Sequence, residues 1–263
     1  MKRKTTLDFD ELNELDKLKQ LEKKVKSAKK SKMPLAIPYR EYFGAMYIEP
    51  EDMHNRIELA EQIERVMLYV FAYWFIVASE EQAVDELRQE AKDRLTAVVA
   101  KHTVVDSYLQ NHINNVVDEV IDATARHTKK NQPPDDEEDY EEEQYTRQEL
   151  DEIKAITESD DEDTEEDYWT SENRAMLISE DEANAIYNYD DYRQAVRSGK
   201  TKKVWVTEND EKVRMTHTLV EGKTVDIDGL FLVGESLMRF PKDTMYQASP
   251  TETVNCRCTC HYK

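Results

Sequence analysis

Apolar residues recur at three- and four-residue spacing in three successive stretches between Met53 and Arg126, the period of helices with one buried face. The first places Leu59, Ile63, Val66, Met67, Val70, Phe71 and Trp74 on one stripe, while Tyr69, Tyr73, Phe75 and Ile76 make its second half apolar all round. Such a helix has to be covered on several sides, so the aromatic cluster is read as core, with exposure at a partner interface as the alternative. The second stretch carries Val84, Leu87, Ala91, Leu95 and Val98, and Ser79-Glu80-Glu81-Gln82 before it fits a capping box. The third carries Val105, Leu109, Ile113, Val116, Val117, Val120 and Ile121. Three amphipathic helices joined by short turns predict a helical bundle over residues 34–133.

Beyond Trp169 the pattern shortens. Ser179-Glu180-Asp181-Glu182 fits another capping box, opening a helix through Ala183, Ile186, Tyr187 and Val196 that Gly199 closes. Lys203 to Thr207 alternates as a strand, Glu208 to Glu211 supplies a turn, and Lys212 to Met215 reads as a further extended piece. Four of the five glycines lie at position 199 or later, and none lies between Ala45 and Ser198. The first half is therefore helix material and the last third is turn-rich. The fold class is α+β: a helical bundle, an acidic flexible linker and a small mixed domain over 169–263.

Charge sharpens that division. The 263 residues carry a formal net charge of -21, yet positions 135–167 alone hold 19 acidic and 2 basic residues. Residues 134–168 thus read as a self-repelling linker with too little apolar material to order itself, a weak helix around Gln148 to Ile156 excepted; a docking tail for a basic partner is the alternative. Residues 1–33 carry 11 basic and 6 acidic side chains, with Lys17, Lys19, Lys23, Lys24, Lys26, Lys29, Lys30 and Lys32 crowded toward the end. Leu12, Leu15, Leu18, Leu21 and Val25 give this basic arm helical spacing. It reads either as a solvated arm or as a tether to nucleic acid or an acidic surface.

Several classes fall away. The longest uncharged run, Val66 to Ser79, is 14 residues, short of the roughly 20 a spanning helix needs. The basic N-terminus has no apolar core behind it, so no secretory signal is expected. All three cysteines lie between 256 and 260, too close to staple distant parts of the chain.

Trp205, Asp210, Arg214, His217, Gly222 and Phe231, followed by Asn255-Cys256-Arg257-Cys258, resemble the signature of the phage Mu protein F-like family. The resemblance covers roughly residues 170–263. It implies a non-enzymatic minor head protein of a tailed bacteriophage, acting in head morphogenesis. It further implies portal, capsid and scaffold proteins as partners, with double-stranded DNA contacted in packaging or ejection. The expected location is the virion, in the head interior or at the portal vertex, after assembly in the host cytoplasm. Cys260 and His261 extend beyond the family's usual ending, and the acidic linker looks like an insertion.

The residues themselves leave three readings open. On an extended strand Cys256, Cys258 and Cys260 would share one face, and with His217 they would form a soft metal site for which zinc is the default. Alternatively the cysteines are small buried hydrophobes beside a structural network of His217, Asp210 and Arg214, with no cofactor. A zinc- or thiol-dependent enzyme could be drawn from Cys256, His217 and Asp210. It has no supporting local signature, since there is no phosphate-binding glycine loop, G-x-S-x-G elbow or H-E-x-x-H helix. A nucleic-acid module working through the basic arm is the other alternative.

Overall fold

A computed structural model describes residues 36–128 and 168–263. The basic arm with its Leu12 to Val25 stripe, and the acidic segment with its Gln148 to Ile156 stretch, lie outside the described residues. The helical part comprises α1 (Tyr39–Gly44), α2 (Pro50–Val77), α3 (Glu81–His102), α4 (Ser107–Thr128) and α5 (Glu172–Arg197). A small sheet unit follows: β1 (Lys202–Val206), α6 (Met215–Thr218), β2 (Thr224–Asp226), β3 (Phe231–Val233), β4 (Ser236–Met238), α7 (Pro250–Thr253) and β5 (Thr259–Tyr262). This is the α+β class that the patterning predicts. No helix among the described residues is long and apolar enough to cross a membrane.

Pro50 stands at the start of α2, where its missing N–H costs nothing, and Glu51 and Asp52 favour the positive end of the helix dipole. Its second half is buried nearly all round, as its composition requires, except that Phe75 and Ile76 are exposed. The cover comes chiefly from α5 and α3, so the three helices of the first half are completed by a fourth from beyond the acidic segment. Ala175, Ala183, Ile186 and Tyr189 of α5 join Leu59, Ile63, Phe71, Trp74, Leu95, Leu109 and Ile113 in one core.

The capping boxes are corrected by the structure. Helix α3 begins at Glu81, so Ser79 lies outside it and makes no cap bond, and Gln82 instead reaches Glu86 at 3.2 Å. Ser179 is not at a helix start either: it is buried in the middle of α5 and donates to the Ala175 carbonyl at 2.6 Å. The cap is Ser171, whose hydroxyl accepts from the Arg174 N–H at 3.1 Å. Gly199 does close the helix, at φ 75°, with Lys200 N–H bonding Ala195 O. Across the acidic segment, His127 stacks on Trp169 with ring centroids 3.7 Å apart, so the two ends of that segment lie side by side.

In the sheet unit β1 is central, antiparallel to β2 on one side and β5 on the other, with Trp205 opposite Cys260. β3 and β4 form a separate hairpin. The Lys212 to Met215 stretch is not extended; it turns into α6, placing His217 in a short helix under β1. A second core gathers Trp205, Val220, Phe231, Val233, Met238, Ala248, Cys256 and Cys258. Cys260 packs against both cores.

Candidate functional site

The second core is centred on His217, which is 1 % exposed and meets Trp205 edge to face at 5.7 Å. Its Nδ1 lies 3.2 Å from Cys258 Sγ and 3.5 Å from Cys256 Sγ. On the other side of the ring, Nε2 is 3.0 Å from Glu252 Oε2, a carboxylate oriented in turn by the Thr216 hydroxyl at 2.7 Å. The carboxylate on Nε2 anchors one edge of the ring and so turns the Nδ1 edge toward the two sulfurs. Glu252 sits on α7, which Ser249 caps and Pro250 opens. Its approach requires Gly234, where an added Cβ would fall 2.6 Å from Glu252 Oε1.

The thiols are electrostatically unlike each other. The hydrogen bond from Cys258, joined by His217, holds Cys256 well below the ordinary thiol range against the cost of burial. Cys258, next to that thiolate and buried, is pushed far up. Burial lowers His217, but Cys256 outweighs it and the imidazole pKa is raised. Cys260 stands apart, its thiol pushed up to about 12 by burial.

Helix α5 holds this cluster through backbone carbonyls. Asn184 Nδ2 donates to Cys256 O at 2.8 Å and Asn188 Nδ2 to Cys258 O at 3.1 Å, two amides one helical turn apart. The fully buried Arg56 of α2 donates to Asn184 Oδ1 at 2.6 Å and to Asp191 at 2.7 Å. Asp181 accepts from the Asn255 N–H at 2.6 Å and pairs with the buried Lys242. Asn255 itself adopts φ 55°, a conformation asparagine tolerates better than most side chains.

A shallow surface cleft reaches the cluster, bordered by Glu208, Lys212, Arg214 and Arg257. Of the sequence-derived residues, the fold gathers His217, Cys256 and Cys258, with Trp205 and Phe231 packed beside them in T-shaped contact at 5.2 Å. It does not gather the rest. Cys260 belongs to β5, whereas Cys256 and Cys258 precede that strand, so the three thiols do not share one strand face. Asp210 is drawn to Arg257 at 2.6 Å, and Arg214 to Val254 O, leaving Glu252 as the acidic partner of His217. Gly222, at φ 69°, makes the turn that returns the chain from α6 to β2. The eight lysines of the basic arm lie outside the described residues.

Sequence reasoning missed Glu252, Glu208, Asn184 and Asn188. A signal existed for three of them: Ser249-Pro250 announces a helix start just before Glu252, and Asn184 and Asn188 stand four apart on one helix face.

A family model described as phage Mu protein F like protein matches residues 122–261, more than half of the chain. No curated protein and no solved structure matches.

Proposed function

Since the chain belongs to the phage Mu protein F-like family of head-morphogenesis structural proteins, we propose that it serves as a minor head protein bound to the portal and the procapsid interior. The observation that carries this reading is the family match, which runs from the end of α4 through the Cys–His cluster. The residues quoted for the resemblance include the buried centre of the sheet unit, His217, Cys256 and Cys258, so the likeness lies in what builds that unit. A role in packaging or ejecting DNA would draw on the basic arm, whose local excess of positive charge is independent of the chain's net acidity.

The role is read as structural and not catalytic. The Cys256 residue is 2 % exposed, and the Asp210 that a Cys–His–Asp arrangement needs is engaged by Arg257. The deciding experiment is isolation of procapsids with and without the phage portal. Recovery of the chain only with portal-containing particles is the expected outcome; equal recovery from portal-free shells, or absence from both, would sink the reading.

A further inference from the structure

We propose that His217 Nδ1, Cys256 Sγ and Cys258 Sγ bind one zinc ion that staples the end of the chain to α6. The three ligand atoms lie within 4.8 Å of one another, and all three residues are buried. In a tetrahedral zinc site, with bonds of about 2.0 Å to nitrogen and about 2.3 Å to sulfur, nitrogen and sulfur sit about 3.5 Å apart. His217 Nδ1 is already 3.2 and 3.5 Å from the two sulfurs. Little movement is therefore needed to admit the ion.

The surroundings are those of a metal centre in three further respects. Glu252 on Nε2 completes a carboxylate–histidine arrangement of the kind that fixes the tautomer of a metal-bound imidazole and raises its basicity. Two thiolates and a neutral imidazole cancel the charge of a divalent cation, which suits a site with no water on most sides. The fourth position opens to the cleft, where Glu208 directs a buried Oε2 that has no hydrogen-bond partner among the described residues. Glu208 is outside the 4.8 Å group, so it is assigned as acceptor for a metal-bound water and not as a ligand.

A stapling role follows from size. The second core contains eight buried residues, against twenty-seven in the helical one. Units this small commonly draw part of their stability from a metal or a cross-link. Cys256 and Cys258, only two apart, cannot serve as a long-range disulfide, but through His217 a metal would tie α6 to the segment that leads into β5.

The test uses the full chain purified without chelators. Mass spectrometry of metal content is expected to give about one zinc per chain, and cobalt substitution a thiolate-to-cobalt charge-transfer band. Cys256→Ser and Cys258→Ser should each lose the metal, while Cys260→Ser keeps it. Should the two cysteine variants fail to fold, Glu252→Gln carries the test, with zinc affinity in chelator competition falling roughly 10–100-fold. Substoichiometric zinc with no saturable cobalt uptake would overturn the proposal. So would a Cys260→Ser protein that loses metal along with the others, or a Glu252→Gln protein of unchanged affinity.

Discussion

The helical body and the sheet unit are held together by different means. The body buries long apolar stripes, and each large aliphatic or aromatic side chain it hides contributes about 1.5–3 kcal/mol. The sheet unit has strands of three to five residues and few such side chains, so named polar contacts fix its last segment: Asn184 and Asn188 on carbonyls, Asp181 on a backbone N–H, Glu252 on His217. Area tolerates substitution one residue at a time, whereas point contacts fail individually. Helix α5 takes part in both schemes, with one face in the helical core and another row of polar side chains gripping the sheet unit.

That coupling is most directly broken at Arg56. Its guanidinium is fully buried, and truncation would strand Asn184 Oδ1 and the Asp191 carboxylate. Breaking a buried ion pair costs roughly 3–5 kcal/mol, and because the Asp191 side chain is 36 % exposed, water will soften the loss toward the lower figure. Arg56→Ala is therefore expected to lose about 3 kcal/mol in urea unfolding. It should also speed labelling of Cys256 and Cys258 by a thiol reagent, because Asn184 would no longer be anchored. Unchanged labelling would mean that the two regions are secured separately.

Glu180 sharpens the contrast from within α5. It is 3 % exposed, its Oε2 has no partner among the described residues, and burial together with Asp181 pushes its pKa up to about 8. The folded protein thus holds a proton there that the unfolded chain releases above the ordinary value of 4.5. Stability must fall as pH rises from about 4.5 to about 8, since the folded state binds more protons throughout that window. Glu180→Gln removes the titration. It is expected to flatten thermal stability against pH and to gain about 1–3 kcal/mol on the alkaline side, the cost of a buried group without a partner. A variant whose profile overlays that of the parent would show that Glu180 finds solvation on its own.

The same contrast explains what could be read from sequence. Helices α2, α3 and α4 follow from the spacing of Leu59, Ala91 and Ile113 and their neighbours, because burial by area leaves a period. Helix α5 was legible only from Ser179 onward: Glu180, Asp181, Glu182 and Asn184 resemble a solvated helix start, although all four have partners or burial in the fold. His217, Cys256 and Cys258 were legible through the family resemblance and their chemistry. Glu208 was not, and for Glu252 only the helix start at Ser249-Pro250 was, because a carboxylate placed for one contact looks in sequence like any surface acid.

The smallest effects separate a cap that forms from one that only fits the pattern. Ser171 accepts the Arg174 N–H at 3.1 Å and donates to Tyr168 O at 2.8 Å, securing α5 where the chain returns from the acidic segment. Loss of such a cap costs about 1 kcal/mol, so Ser171→Ala should lower unfolding stability by that amount. Ser79 has the better sequence credentials, with Gln82 three residues on, but α3 starts too late to use it. Ser79→Ala should fall within about 0.5 kcal/mol of the parent. Equal losses at the two serines would mean that α3 extends back to Ser79 in solution, and that the turn from α2 is tighter than its N-terminal boundary at Glu81 implies.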